Sequence, residues 1–278
     1  MDPSAYLRRL GRGDLIGAPA DLETLTALHS AHMERVAYET LEIWLDRPTT
    51  VDPLESAARI VGGRGGYCYH LNGAFGELLR TLGYEVRRHV GGIQPRDGEP
   101  EITGNHVVLT VHGLGDSGWL VDMGMGDGPH RPLPLVEGVY EQGPFTYGLR
   151  PSEIAPGGWR FDHDPSGSFP GMDFGPAEAD MTAFIDMHEY LSTSPESGFV
   201  KHAAVVGRVD SAGVDVLRGL SLTRIGLGRR STTLETADDY FAALADVFWL
   251  TLDDVTTQER ERLWARLVRA HERWLAAT

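Results

Sequence analysis

The chain has 278 residues, of which 41% are hydrophobic and 23% are charged, and its formal net charge is −15. This balance is ordinary for a soluble globular protein, and it argues against nucleic acid as a partner because an anionic surface repels phosphate. The N-terminal segment is too polar for a signal peptide, and no apolar run approaches the ~18 residues needed to span a bilayer. We therefore expect two or three domains, no membrane partner and a cytoplasmic location.

Helical periodicity dominates the N-terminal part of the chain. Asp21 is placed to cap a helix that continues to about Val36. A second, short helix is predicted over 53–61, and a third begins near Cys68 and is ended by Gly83. The apolar side chains of the third helix recur at helical spacing: Leu71, Ala74, Phe75, Leu78, Leu79 and Leu82.

The hydrophobic period changes to two after Gly83, which indicates strands. Two strand-like runs, 106–111 and 119–123, flank a glycine-rich turn and predict a hairpin. Glycine and proline then punctuate 124–176, which favours an all-β region in the form of a small barrel. A linking helix is predicted over 177–191.

The C-terminal part mixes short strands, over 203–209 and 215–222, with two helices. The last helix is amphipathic, and Thr256 with Glu259 forms a capping-box pattern at its start. These patterns predict an α+β multidomain protein in three parts. They are a helical bundle over 1–84, a β-barrel over 85–190 and a mixed α/β part over 191–278.

The single cysteine, Cys68, follows an unusual stretch of the sequence, Gly-Gly-Arg-Gly-Gly-Tyr. A lone cysteine is usually a small buried hydrophobe, but this one stands at a helix start, ahead of the apolar stripe. There the free N–H groups and the positive end of the helix dipole favour a thiolate, the nucleophilic form of cysteine. We therefore interpret Cys68 as a nucleophile.

Two rival interpretations of this stretch are weaker. A phosphate-binding loop of the P-loop type ends in Gly-Lys-Ser or Gly-Lys-Thr and follows a strand, whereas a helix precedes this one. A metal site needs a ligand set, and one cysteine with eleven scattered histidines has no recognised metal-ligand spacing. The sequence thus predicts no bound metal.

A cysteine nucleophile needs a base, and the base needs a group that orients it. His106 opens the first strand of the predicted hairpin, and Asp122 lies in the second. If Val108 pairs with Asp122, the side chains of His106 and Asp122 are diagonal neighbours on one face of the hairpin. Each residue alone has an ordinary explanation, His106 as a surface residue at a strand end and Asp122 as a cap for the following turn. With Cys68 they predict a catalytic triad.

The motifs around these residues resemble the arylamine N-acetyltransferase family, over essentially the whole chain. The centre of the resemblance is the specific sequence Arg-Gly-Gly-Tyr-Cys ending at Cys68, with Asn72, His106 and the Leu-Val-Asp-Met-Gly-Met-Gly stretch around Asp122. The flanking segments that match are 28–32, 38–41, 192–200 and 248–252.

This resemblance implies a helical bundle, a β-barrel and an α/β lid, with the Cys-His-Asp triad in a cleft. It also implies ping-pong chemistry, in which an acyl group passes from coenzyme A to Cys68 and then to an aromatic amine or hydrazine. No cofactor is expected to stay bound, since acetyl-CoA or another acyl thioester is a co-substrate.

By the same resemblance, further residues are expected at the site. The coenzyme is expected to contact Thr103, Gly104 and Gly126. The substrates are expected to contact Tyr69, Met125 and Phe199. A buried pair beneath the site is expected from Arg64 and Glu39.

Local arginines are expected to meet the coenzyme phosphates despite the negative net charge, because distant charges are screened by salt. The candidates are Arg87, Arg88 and Arg96 in the barrel, or Arg224, Arg229 and Arg230 in the C-terminal part. For any single arginine the alternative is an ordinary solvated surface charge.

The sequence departs from the family pattern at several positions. His70 stands where the family usually has Glu, Tyr38 where it has Phe, and Met125 where it has an aromatic residue. A methionine yields to a longer acyl chain more readily than an aromatic wall does, so acyl groups longer than acetyl are expected to be accepted. Two alternative functions remain: an amide synthase that uses a larger acyl thioester, on coenzyme A or an acyl carrier protein, and a cysteine hydrolase.

Overall fold

The computed structural model describes residues 1–277, which contain α-helices and two antiparallel sheets. The α-helices are α1 (Pro3–Arg9), α2 (Leu22–Arg35), α3 (Leu41–Trp44), α4 (Pro53–Val61), α5 (Cys68–Thr81), α6 (Ile185–Thr193), α7 (Gly198–Lys201), α8 (Ala237–Phe248) and α9 (Thr257–Ala277). Within residues 1–277 none of these helices is both long and apolar enough to cross a lipid bilayer.

The larger sheet has eight strands in the order β5-β4-β3-β2-β9-β8-β7-β6. They are β2 (Glu85–Ile93), β3 (His106–His112), β4 (Trp119–Val121), β5 (Leu133–Pro134), β6 (Gly138–Gln142), β7 (Phe145–Pro151), β8 (Trp159–Asp162) and β9 (Gly171–Glu178). The two edge strands, β5 and β6, follow each other directly in the chain. The side chain of Gln142 also exchanges hydrogen bonds of 2.8 and 3.0 Å with the backbone of Arg131. The sheet is therefore a nearly closed barrel.

The smaller sheet has the order β1-β10-β11-β12-β13. Its strands are β1 (Tyr38–Glu39), β10 (Val205–Asp210), β11 (Gly213–Arg218), β12 (Ser221–Ile225) and β13 (Arg229–Thr233). Its edge strand β1 comes from the N-terminal part of the chain, and Tyr38 pairs with Gly207. The run 215–222, predicted as one strand, is instead divided between β11 and β12 by a turn at Gly219, which has a φ of +56°.

Several predicted helices are confirmed, together with the interactions that start them. Helices α4 and α5 begin where the sequence places them, at residues 53 and 68. Asp21 caps α2 by accepting a 2.8 Å hydrogen bond from the Thr24 N–H. At α9 the capping box is complete, because the Glu259 carboxylate accepts from the Thr256 N–H and the Thr256 hydroxyl accepts from the Glu259 N–H.

The predicted linking helix over 177–191 begins later than expected. Strand β9 continues to Glu178, and the Asp180 carboxylate then accepts a 3.0 Å hydrogen bond from the Thr182 N–H. This cap starts a single 3-10 turn, and α6 begins only at Ile185. The helical pattern of the segment is right, but its first residues belong to the barrel.

The buried apolar side chains in the described part of the chain form three clusters. One joins the N-terminal helices to the barrel, and a second joins the smaller sheet to α8 and α9. The third surrounds Cys68 and contains Tyr67, Tyr69 and Phe184. Cys68 therefore lies within the folded core. Burying an aliphatic or aromatic side chain of this kind contributes about 1.5–3 kcal/mol to stability.

Candidate active site

Cys68 is the first residue of α5, and 4% of its surface is exposed. Its Sγ atom lies 3.7 Å from the backbone oxygen of Asn105, just before β3. The helix start therefore brings the sulfur to the end of the barrel where β3 begins. The unpaired N–H groups of the first turn favour negative charge on this side chain.

His106 and Asp122 are joined by a hydrogen bond. The Nε2–H of His106 donates to Oδ2 of Asp122 at 2.8 Å, and both side chains are almost completely buried. Strands β3 and β4 pair Leu109 with Val121, and one further step in this register places Asp122 opposite Val108, as the sequence predicts. With Nε2 engaged by Asp122, Nδ1 of His106 is the nitrogen left for Cys68.

The carboxylate of Asp122 is held by two further donors. Its Oδ1 accepts hydrogen bonds from Nδ2 of Asn72 at 3.0 Å and from the N–H of Gly124 at 2.8 Å. The side-chain oxygen of Asn72 in turn accepts from the N–H of Met123 at 2.7 Å. Because Asn72 and Gly124 both donate to Oδ1, the other carboxylate oxygen, Oδ2, is directed at His106. Asn72 therefore links α5, which carries Cys68, to the residue that orients His106.

The charge state of His106 follows from these neighbours. Burial by itself lowers the pKa of His106. The charge of Asp122 and the hydrogen bond to it, followed by the hydrogen bond to Cys68 and the charge of Cys68, outweigh burial and raise this pKa to about 10. His106 therefore holds a proton at neutral pH in this arrangement. The three side chains can form a thiolate–imidazolium–carboxylate series.

Gly124 permits the contact between the two halves of the site. A Cβ atom at this position would lie 2.6 Å from the Cα atom and 2.7 Å from the Cβ atom of Cys68. The backbone after Asp122 therefore packs directly on the first turn of α5. Any side chain here would collide with Cys68.

Tyr38 is a residue of the site that sequence reasoning did not identify. Its ring lies against Gly126 and packs on the cluster that contains Cys68. Burial and then the charge of Cys68 raise the pKa of Tyr38 well above its usual value, and Arg218 opposes them. Tyr38 is therefore close enough to both Cys68 and Arg218 to be affected by their charges.

Arg218 lines a cationic cleft of about 1110 Å³ between the barrel and the C-terminal part. The described cationic and histidine side chains along it are Arg96, Lys201, His202, Arg218, Arg229, His271 and Arg273. The carboxylate found along the same described walls is that of Asp127, which accepts hydrogen bonds from the N–H and hydroxyl of Ser168. The cleft is thus strongly positive, although the chain as a whole is negative.

Two of the six arginines predicted to meet phosphates, Arg96 and Arg229, line this cleft. They come from the two groups that the sequence offered as alternatives, one in the barrel and one in the C-terminal part. The other four lie outside its walls: Arg87, Arg88, Arg224 and Arg230. Arg88 instead faces a second cavity of about 990 Å³.

Two of the three residues predicted to contact the coenzyme, Thr103 and Gly104, lie in the turn before β3. The backbone oxygen of Gly104 accepts a 2.7 Å hydrogen bond from the hydroxyl of Tyr69, which is completely buried. The hydroxyl of Thr103 accepts from the N–H of Asn105 at 3.4 Å. Thr103, Gly104 and Tyr69 lie outside the described walls of both cavities.

Three other predicted site residues have different surroundings. Phe199 is half-buried, and its ring packs edge-on against Tyr67 with the ring centres 5.2 Å apart. Met125 belongs to the main core and packs closely on Gly128. A Cβ atom added at Gly128 would lie 2.9 Å from the sulfur of Met125. Gly126 is covered by Tyr38. None of the three lines the cationic cleft, and the acceptance of longer acyl groups stays a prediction.

Arg64 is buried beneath the site, as expected, but Glu39 is not its nearest partner. The nitrogen Nη2 of Arg64 is 3.8 Å from Oε1 of Glu39 and 2.5 Å from Oε1 of Glu42. Nη1 also meets the carboxylate of Asp254 at 3.1 Å. The expected pair is thus part of a larger network that reaches the C-terminal part of the chain.

No three His, Cys, Asp or Glu side chains of residues 1–277 come together as a metal-binding group.

The fold itself matches solved arylamine N-acetyltransferases. The Mycobacterium marinum arylamine N-acetyltransferase in complex with CoA aligns with a TM-score of 0.85 over 97% of this chain and 99% of that chain, at 29% identity. A family model described as N-acetyltransferase matches residues 21–257. The chain therefore belongs to the N-acetyltransferase family.

Two curated relatives show how broad this similarity is. The arylamine N-acetyltransferase of Mycolicibacterium smegmatis is 38% identical over 149 residues, which are 51% of this chain and 53% of the relative. The proansamycin X synthase of Amycolatopsis mediterranei (strain S699) is 35% identical over 140 residues, 49% of this chain and 52% of the relative. The chain thus spans about half the length of the curated relatives it matches.

Proposed function

We propose that this protein is an acyltransferase that moves an acetyl or other short acyl group from coenzyme A, through a thioester on Cys68, to an arylamine or hydrazine. The observation that carries the proposal is the buried series of Cys68, His106 and Asp122. A nucleophile, a base and a group that orients the base are the parts that acyl transfer through a covalent intermediate requires.

In the first half-reaction the thiolate of Cys68 attacks the carbonyl carbon of the acyl thioester. The tetrahedral intermediate collapses by breaking the bond between that carbon and the sulfur of coenzyme A. His106, protonated at the start, gives its proton to the departing sulfur. The products are the Cys68 thioester, free coenzyme A and neutral His106.

In the second half-reaction the nitrogen of the amine attacks the Cys68 thioester. His106 accepts the proton that the amine loses, and the carbon–sulfur bond to Cys68 breaks. The amide leaves, and the thiolate and imidazolium are restored. Asp122 keeps the Nε2 proton of His106 in place in both halves, so that Nδ1 always faces the reacting groups.

We assign the phosphates of coenzyme A to the cationic cleft. Five arginine and lysine side chains offset a single carboxylate along its described walls, and such local charge attracts phosphate within a Debye length of ~10 Å. The similar Mycobacterium marinum enzyme was solved in complex with CoA, which supports a coenzyme A thioester as donor here.

A second candidate is an amide synthase that takes a larger acyl thioester, on coenzyme A or an acyl carrier protein. The observation that favours it is the similarity to proansamycin X synthase. The identity to that relative is 35%, which is close to the 38% identity to the arylamine N-acetyltransferase relative. Both candidates share the Cys68 thioester. They differ in the donor that loads it.

The test is an intact-mass measurement after incubation with acyl thioesters and no amine. We expect acetyl-CoA to add the mass of one acetyl group at Cys68, and a later addition of arylamine to remove it with formation of amide. Loading only by longer acyl thioesters would favour the amide synthase. Release of free acid without amine would instead identify a cysteine hydrolase and overturn the proposal.

The cleft assignment predicts an effect of charge reversal on the Michaelis constant. Arg229→Glu replaces attraction of phosphate by repulsion, so we expect KM for acetyl-CoA to rise about 5- to 30-fold at low salt and less at high salt. Arg230→Glu is the matched control, since this neighbouring exposed residue lies outside the cleft and should change KM little. A short acyl thioester without the nucleotide should be insensitive to both. Equal KM values for acetyl-CoA in the two variants would contradict the assignment.

A further inference from the structure

A closed ring of hydrogen bonds lies directly beside Cys68. The N–H of Tyr67 donates to Nδ1 of His70 at 3.3 Å, and Nε2 of His70 is 3.1 Å from the hydroxyl oxygen of Thr49. The carbonyl oxygen of Thr49 is 2.7 Å from Nε2 of His188. Nδ1 of His188 is 2.6 Å from the hydroxyl oxygen of Tyr67, which closes the ring.

The ring fixes where its protons lie. Since Nδ1 of His70 accepts from a backbone N–H, the proton of His70 is on Nε2 and is donated to Thr49. Since a carbonyl only accepts, His188 is protonated on Nε2, and its Nδ1 accepts from the hydroxyl of Tyr67. Burial, with the positive charge of Arg59 adding to it, lowers the pKa of His70 well below its usual value. His70 is therefore neutral, as this ring requires.

The ring joins three separate segments at the start of α5. Tyr67 precedes Cys68, Thr49 belongs to the loop before α4, and His188 lies on α6. His70 is the third residue of α5, and its side chain accepts a hydrogen bond from the N–H of Tyr67, the residue before the helix. This is the contact that the third helical residue makes in a capping box. The ring of His70 also covers Gly66, where a Cβ atom would be 2.7 Å from Nδ1. The direction in which the chain enters Cys68 is thus set by His70.

We propose that His70 is a positioning residue, which holds the first turn of α5 so that Cys68 faces His106. The proposal rests on Cys68 being the nucleophile of the proposed function. It gives a role to a residue at which this chain departs from the family pattern. Glutamate at this position would accept from both the Tyr67 N–H and the Thr49 hydroxyl, whereas His70 donates to Thr49.

The experiment measures the rate at which iodoacetamide alkylates Cys68, the single thiol of the chain. His70→Ala opens the ring, and since a shift of about 1 Å between reacting groups can cost ~100-fold, we expect alkylation at neutral pH to fall about 10- to 100-fold. His70→Gln offers an oxygen to Tyr67 and an N–H to Thr49, and should stay within about threefold of the original protein. Failure of His70→Gln to restore the rate would overturn the proposal.

Two further variants separate positioning from general destabilisation. His89 is buried like His70 and bonded through both ring nitrogens, to Ala177 and Thr110, but it lies in the barrel. His89→Ala should therefore leave alkylation unchanged, and an equal loss there would overturn the proposal. Thr49→Val removes one ring bond at a half-buried loop position and should slow alkylation roughly fivefold, since one hydrogen bond contributes about 1 kcal/mol.

Alkylation needs neither acyl donor nor amine, so its result is independent of the proposed function. A protein that formed no acyl-enzyme would contradict that function and would still report whether His70 positions Cys68. Alkylation of His70→Ala and Thr49→Val at the original rate, in folded protein, would overturn the role of His70 alone. Far-ultraviolet circular dichroism establishes that each variant is folded.

Discussion

Cys68→Ala is expected to abolish acyl transfer, with a loss of at least about 10⁴-fold in kcat, while the fold is kept. The reason is that both half-reactions pass through a bond to the sulfur, and no neighbouring side chain can replace it. Removing one buried sulfur atom leaves only a small cavity, so the protein should remain folded. The measurement is steady-state amide formation together with the intact mass after exposure to acetyl-CoA.

The control for this experiment is chemical. One equivalent of iodoacetamide should inactivate the original protein, because the chain has a single cysteine, and prior acylation should protect it. Cys68→Ser tests whether an oxygen can substitute, and we expect it to be inactive because the hydroxyl is a far weaker nucleophile than the thiolate. More than a few per cent of residual transfer in Cys68→Ala would remove Cys68 from the mechanism.

Asp122→Asn is expected to slow transfer by about 10⁴-fold although the side chain keeps its shape. The carboxylate accepts from three donors, His106, Asn72 and Gly124, through its two oxygens. An amide has one oxygen, and if this atom stays with Asn72 and Gly124, the NH₂ group faces Nε2 of His106. His106 must then carry its proton on Nδ1, the nitrogen that should accept protons from the reacting groups.

Rapid-mixing measurements of Cys68 acylation decide this prediction. The matched control is Asp173→Asn, because Asp173 is equally buried and accepts from Ser152 and Arg160, but on the barrel away from Cys68. It should lower stability and leave the acylation rate of the folded protein unchanged. If Asp122→Asn acylates as fast as the original protein, Asp122 has no part in catalysis.

Local patterns allowed the centre of the site to be predicted from the sequence. The helix that starts at Cys68 follows from its apolar period, and the approach of His106 to Asp122 follows from the register of one short hairpin. Both depend on residues that are near each other in the chain. Side-chain periodicity is enough to orient such elements.

The cleft could not be predicted in this way, because its walls come from distant parts of the chain. Arg96 is in the barrel, Arg218 ends β11, and Arg273 lies on the last helix. Nothing local distinguishes them from solvated arginines. Tyr38 was missed for a related reason, since a strand of two residues has no period to detect, and its partner Gly207 is far away in the sequence.

The pairing of β1 with β10 also has a consequence for synthesis of the protein. The backbones of Thr40 and Val205, joined by a hydrogen bond of 3.1 Å, are 165 positions apart in the chain. At ~5–20 residues per second, a ribosome makes β10 roughly 8 to 33 s after β1. For that interval the nascent chain carries an unpaired strand edge at Tyr38. Until residue 184 has been made, the nearby thiol of Cys68 also lacks its aromatic cover from Phe184. The newly made chain is therefore most open to aggregation and to oxidation of Cys68 before residue 205 has emerged.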